Sequence, residues 1–200
     1  MIASCIAGFA KLLTGARAHW QGCAPENKLR VYFANHTSNL DFVLLWAALP
    51  GALRAVTRPV AAHDYWTATP LRQGIAEHVF KAVLIERKKV TRANNPMEGM
   101  VDALKNGNSL IIFPEGGRMT DGEIGAFRGG LFHLAKQGLE IEFVPVFIEN
   151  LNRVMPKGEF LPVPLLCSVT FGVPLHAGVE ESKPEFLNRA RSALMELSQQ

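Results

Sequence analysis

Two hundred residues, 48% hydrophobic and 20% charged, are enough to bury one substantial core and fit a single domain spanning 1–200. An aromatic share of 8%, with no charge run, repeat or low-complexity tract, excludes a disordered chain and a solenoid. The net charge of +3 is too low, and too poor in binding motifs, for a nucleic-acid partner.

Cys5, Cys23 and Cys167 are odd in number and widely spaced, so they read as reduced thiols rather than a disulfide framework. His19, His63, His78, His133 and His176 are scattered, and no metal site is expected. The charge is uneven: Arg54 to Arg92 holds eight Lys/Arg against three Asp/Glu, whereas residues 93–200 hold nine against thirteen. A basic middle segment suits an anionic membrane surface, a phosphorylated substrate or an acidic carrier protein, or is a solvated face.

In chain order, Ile2, Ile6, Phe9 and Leu13 recur at helical spacing with Leu12 beside them, predicting an amphipathic helix within about residues 1–18. It is too short to cross a bilayer, which takes about 20 apolar residues, and is expected either to lie in the membrane interface or to dock on the core. Ala16-Arg17-Ala18 mimics a signal-peptide cleavage site, but no positive charge precedes the apolar run and Lys11 follows it. Strand-like runs follow at Leu29–Ala34, Leu53–Thr57, Ala82–Ile85, Ser109–Phe113, Phe143–Ile148 and Leu166–Gly172. Helical patterns fall between most of them, at about 40–49, 64–79, 96–106, 127–137 and 183–198. This alternation predicts an α/β fold, a central sheet flanked by helices. The proline-rich stretch Leu151–Leu165 reads as an irregular connection, or as a loop covering an acyl chain or facing a membrane.

Two segments after strand-like runs carry the chemistry. In Asn35-His36-Thr37-Ser38-Asn39-Leu40-Asp41, a histidine that takes up a proton near neutrality is paired in sequence with a carboxylate that would orient it. An ideal helix turns about 100° per residue, so five residues would set His36 and Asp41 about 140° apart. They cooperate only if His36 sits in the turn after the strand and Asp41 in the first turn of the next helix. Ser38 is then a candidate N-cap, and Asp41 has the competing role of capping-box partner. In Phe113-Pro114-Glu115-Gly116-Gly117-Arg118, the glycines let backbone N–H groups approach an anion and Arg118 offers a planar fork for phosphate. Glu115 would orient that arginine or a substrate hydroxyl. Arg87, at the end of the Ala82–Ile85 strand, would complete a cationic pocket, and the helix opened by Phe127-Arg128-Gly129-Gly130 would add anion affinity at its N-terminus. No Gly-x-Ser-x-Gly elbow, P-loop or Gly-x-Gly-x-x-Gly fingerprint occurs, since Gly107-Asn108-Ser109 lacks the second glycine and Glu123 stands where a P-loop needs lysine.

With these residues in place, the chain resembles the glycerolipid acyltransferases of the lysophosphatidic acid acyltransferase (1-acyl-glycerol-3-phosphate O-acyltransferase) type. The resemblance covers about residues 12–175, in four ordered blocks: Asn35–Asp41, Val83–Arg87, Phe113–Arg118 and Val144-Pro145-Val146. It implies a glycerol-3-phosphate acyltransferase-like fold and transfer of a fatty acyl group from acyl-CoA or acyl carrier protein to a lysolipid hydroxyl. By position it implies His36 as base, Asp41 as its orienting partner, and Arg87, Glu115, Gly116, Gly117 and Arg118 around the acceptor's polar head, with Pro145 shaping the acyl side. No cofactor and no acyl-enzyme are implied. Peripheral attachment at the cytoplasmic face of a membrane is expected. The family commonly has threonine and serine where this chain has Gly117 and Met119, which bears on which acceptor is used. The alternatives are another lysolipid acceptor such as lyso-ornithine lipid, a thioesterase using the same pair on water, or a non-catalytic phospholipid-binding protein.

Overall fold

The apolar run after Leu29 forms a strand buried on both sides: Val31, Phe33 and Ala34 are wholly inaccessible and Tyr32 is 1% exposed. Such a run suits the middle of a parallel sheet, where helices cover both faces. In this computed structural model, which describes residues 2–38, 40–86, 95–119, 123–149 and 167–199, the strands are β1 (Arg17–Trp20), β2 (Arg30–Ala34), β3 (Thr57–Ala62), β4 (Val83–Ile85), β5 (Ser109–Ile112), β6 (Glu142–Glu149) and β7 (Ser168–Phe171). They lie in the order β1-β7-β6-β2-β5-β3-β4. Strands β6, β2, β5, β3 and β4 run parallel, β7 pairs antiparallel with β6, and β1 pairs parallel with β7. The five parallel strands therefore end along one side of the sheet, where sites in α/β folds are built.

The helices are α1 (Ile2–Thr14), α2 (Asp41–Ala48), α3 (Gly51–Ala55), α4 (His63–Trp66), α5 (Pro70–Gly74), a π-helical turn (Ile75–Phe80), α6 (Pro96–Lys105), α7 (Gly130–Ala135) and α8 (Lys183–Leu197). Side chains alternate across each strand, so the sheet divides the core. Tyr32, Ala34, Ile111, Val144 and Val146 pack against α1 and α2, while Val31, Phe33, Leu110, Ile112 and Phe143 pack against α6, α7 and α8. Helix α1 docks through Ala7, with Ala3, Ile6 and Ala10 beside it, yet leaves Phe9 and Leu12 at 65% and 83% exposure. The expected docking on the core is thus found on one face of the helix, and the other face is exposed. No helix among the described residues is long and apolar enough to cross a membrane.

Four elements differ from the expected pattern. The strand expected at Leu53–Thr57 is helix α3, closed by the Thr57 hydroxyl donating to the Leu53 carbonyl at 2.7 Å, and β3 begins only at Thr57. Pro59 is tolerated inside β3 because the ladder there passes from β5, paired through Pro59, to β4, paired from Val60. The single helix expected over 64–79 is broken at Pro70, which opens a new helix capped by Thr69. Residues 17–20, the first two of which fall inside the segment 1–18 expected to hold the N-terminal helix, form edge strand β1; its Arg-Ala-His-Trp sequence carries no strand pattern and its order comes from pairing with β7. The helix expected over 127–137 is confined to α7. The stretch Leu151–Leu165 lies outside the described residues.

Candidate active site

Asn35 ends β2 in an unusual way. Its side chain acts as a surrogate peptide: Nδ2 donates to the Ile148 carbonyl at 2.9 Å and Oδ1 accepts from the Ile148 N–H at 2.8 Å. The ladder to β6 is carried one residue past the strand, so the loop bearing His36 leaves from a fixed point.

His36 Nδ1 and Asp41 Oδ2 are 2.7 Å apart. A carboxylate only accepts, so Nδ1 donates and Nε2 is left as the basic nitrogen. Asp41 is the first residue of α2 and fully buried. The same Oδ2 accepts the Thr37 and Ser38 N–H groups at 2.7 and 2.8 Å. The two roles weighed for Asp41 therefore coincide: one oxygen holds the turn, as a capping residue would, and orients the imidazole. Ser38 is not the N-cap; Leu40 holds that position without a side-chain cap bond. Phe113, the first residue beyond β5, stacks on the imidazole at 4.3 Å between ring centroids and 24° between planes. The ring of His36 is thus gripped at its edge and on one face.

The second segment is bound to the first through the backbone, since the Met119 N–H donates to the His36 carbonyl at 2.8 Å. Gly116 has φ +74°, and a Cβ there would stand 2.3 Å from Arg128 Nε. The glycine makes room for that arginine. Among the described residues, nothing lies within 4 Å of a Cβ on Gly117.

These residues meet at a cavity of 530 Å³ below the ends of β3, β4 and β5. Its polar end holds His36, Gly116, Gly117, Arg118 and Arg128, with Glu86 also on the wall. Its apolar body is formed by Val60, Ile85, Met100, Ile112, Leu131 and Leu134. Phe42, Tyr65 and Trp66 line it from the other side, so the break between α4 and α5 delivers aromatic rings to the site. Among the expected residues, His36, Asp41, Gly116, Gly117 and Arg118 are brought together. Glu115 is 5% exposed and sits behind the loop rather than on the cavity wall. Arg87 lies outside the described residues. Pro145 is buried on β6, with its ring close to Gly172, and does not line the cavity. Helix α7 starts only at Gly130, so the 127–130 segment contributes the Arg128 side chain rather than a long helix terminus. Cys167 feels the Asp41 charge but is unsuited to attack: burial, with the Asp41 and Glu149 carboxylates, pushes its thiol up to about 11.

The family model described as Acyltransferase matches residues 18–149, which contain every residue of this cavity. The chain belongs to the acyltransferase family. Within it, the chain is 28% identical over 173 residues to the 1-acyl-sn-glycerol-3-phosphate acyltransferase of Limnanthes alba, covering 86% of this chain and 59% of that protein. It is 27% identical over 191 residues to the human 1-acyl-sn-glycerol-3-phosphate acyltransferase alpha, covering 92% of this chain and 65% of that protein. The chain thus spans less than two thirds of the length of these two family members. The crystal structure of the 1-acyl-sn-glycerophosphate (LPA) acyltransferase PlsC from Thermotoga maritima superposes with a TM-score of 0.77 at 20% identity, covering 99% of this chain and 79% of that chain. That likeness establishes the fold, and the expected glycerol-3-phosphate acyltransferase-like α/β architecture agrees with it.

Proposed function

We propose that this chain transfers a fatty acyl group from an acyl thioester, acyl-CoA or acyl carrier protein, to the free hydroxyl of 1-acyl-glycerol-3-phosphate. The observation that carries the reading is an oriented His36–Asp41 pair at the junction between a cationic end and an apolar body of one cavity. A lysophospholipid has the matching polarity. His36 Nε2 takes the acceptor hydroxyl proton as the oxygen attacks the thioester carbon, and Asp41 stabilises the imidazolium that forms. The tetrahedral intermediate expels the thiolate, which takes the proton from His36, leaving an ester and a free thiol. No protein nucleophile is required, and the protonated Cys167 offers none. The relatives named as 1-acyl-sn-glycerol-3-phosphate acyltransferases support this acceptor. Phe9 and Leu12 on the outer face of α1 support peripheral attachment to a membrane surface.

The test is product analysis with purified protein, labelled acyl-CoA or acyl carrier protein, and a panel of lysolipids. Labelled phosphatidate formed only with acceptor is the expected result, and His36→Ala should lower its rate by about 10²- to 10⁴-fold with folding retained. Free fatty acid released at the same rate without acceptor would identify a thioesterase instead. Wild-type turnover in His36→Ala would remove the base from the mechanism.

A further inference from the structure

The polar end of the cavity holds two guanidinium groups of different origin. Arg118 belongs to the glycine loop, whereas Arg128 comes from ten residues downstream, near the end of a strap formed by residues 123–129. The strap is held independently. Arg191 of α8 donates from Nε and Nη2 to the Ile124 carbonyl at 3.1 and 2.6 Å, and from Nε to the Gly125 carbonyl at 3.1 Å. Ile124 itself is 8% exposed. At the end of the strap the Arg128 N–H donates to the Pro114 carbonyl at 2.8 Å, and Nε donates to the Glu115 carbonyl at 3.2 Å. Gly116 supplies the space through which the side chain passes.

These contacts use the Arg128 backbone and Nε and leave both Nη groups without a hydrogen-bond partner among the described residues, on a side chain that is exposed and lines the cavity. Neither Arg118 nor Arg128 forms an ion pair among the described residues. A guanidinium fixed at Nε with its Nη groups presented is organised for an anionic oxygen. Arg118 lines the same cavity, and two guanidinium groups suit a dianion better than a monoanion.

We infer that Arg128 is a specificity-determining residue that, with Arg118, binds the terminal phosphate of the acceptor and selects a dianionic phosphomonoester head over a monoanionic phosphodiester one. This rests on the reading that the acceptor's head lies beside His36. A phosphomonoester offers terminal oxygens to both forks, whereas a diester has one charge and a bulky ester arm where the second fork would bind.

The test compares lysophosphatidate with lysophosphatidylglycerol as acceptors for the wild type, Arg128→Gln and Arg128→Lys. Arg128→Gln should raise KM for the monoester by about 10- to 100-fold, as expected for a lost charge-assisted hydrogen bond, with kcat and donor KM changed less than about threefold. KM for the diester should rise less than about threefold, so the preference collapses, and Arg128→Lys should recover part of it. An equal loss on both acceptors, a loss in kcat alone, or unchanged KM would overturn the inference. If Arg128→Gln does not fold, Arg128→Lys must show the same acceptor-selective rise in smaller degree, and its absence overturns the inference. If the wild type acylates neither acceptor, the proposed reaction fails, and calorimetric titration with lysophosphatidate still decides on Arg128. Weaker binding by Arg128→Gln than by the wild type supports the inference, and equal Kd overturns it.

Discussion

Replacing Asp41 by asparagine removes one negative charge and almost no volume. The amide oxygen can take the position of Oδ2 and still accept the Thr37 and Ser38 N–H groups, so the turn is retained. What is lost is the charge 2.7 Å from His36 Nδ1, in a residue with no solvent exposure. At an effective dielectric constant of about 20, a unit charge pair at about 4 Å is worth about 4 kcal/mol, and it is present only when His36 is protonated. It therefore stabilises the transition state rather than the resting enzyme, and at about 1.4 kcal/mol per decade its loss lowers kcat by about 10³-fold. Acceptor and donor KM should change less than about threefold, and the thermal midpoint should stay close to that of the wild type. Asp41→Ala should lose the same activity and also unfold earlier, because two buried N–H groups lose their acceptor at about 1–3 kcal/mol each. Steady-state acylation with labelled thioester, beside thermal unfolding of all three proteins, separates the effects. If Asp41→Asn keeps kcat within about tenfold of the wild type, the charge is not what Asp41 contributes and its role is confined to the turn.

Three further predictions concern the loop and the opposite ends of the strands. Gly116→Ala should destabilise by at least about 1–2 kcal/mol, because φ is +74° and the methyl would collide with Arg128, and it should raise acceptor KM as that side chain is displaced; Gly117→Thr, with open space around its Cβ, should fold like the wild type and shift preference among acceptors, both read by thermal unfolding and an acceptor panel. Glu142 accepts from Arg30 Nε at 2.8 Å, and Arg30 is 1% exposed, so Glu142→Gln should cost about 3 kcal/mol at neutral pH by stranding a buried charge. Burial pushes the Glu142 carboxyl up, but the hydrogen bonds from Lys28 and Arg30 outweigh it and hold it below its ordinary 4.5. The carboxylate's contribution is thus complete above about pH 4.5 and is lost as pH falls through the lowered folded value, so denaturation curves of wild type and variant should converge in acid.

How much of this was legible before folding follows from where each signal resides. Strands β2, β5 and β6 are buried parallel strands, and their continuous apolar runs stand out in sequence. Residues 53–57 are too short an apolar run to separate strand from helix, and only the Thr57–Leu53 hydrogen bond and pairing with β5 decide it. The break at Thr69-Pro70 is a cap followed by a proline, set within an apolar period that continues on either side. His36 and Asp41 were legible because their partnership is local. The stack of Phe113, the bridge of Asn35 to Ile148 and the passage of Arg128 over Gly116 join residues far apart in the chain. Their residue types permit these contacts without specifying them. The sequence signal for Arg128 is an arginine just before a glycine pair, a pattern that suits a helix start equally well.

The hydrogen bond from the Met119 amide to the His36 carbonyl ties the proposed base directly to the glycine loop. Coupling of this kind is reciprocal: a ligand that binds more tightly when the loop is ordered must also favour the ordered form of the histidine turn, to the same extent. A phosphate held by the loop would therefore raise the population in which His36 is aligned, and water, which brings no phosphate, would receive no such help. In the proposed reaction, where the thioester must be kept from hydrolysis, that one backbone bond would set the base best once the intended acceptor is in place.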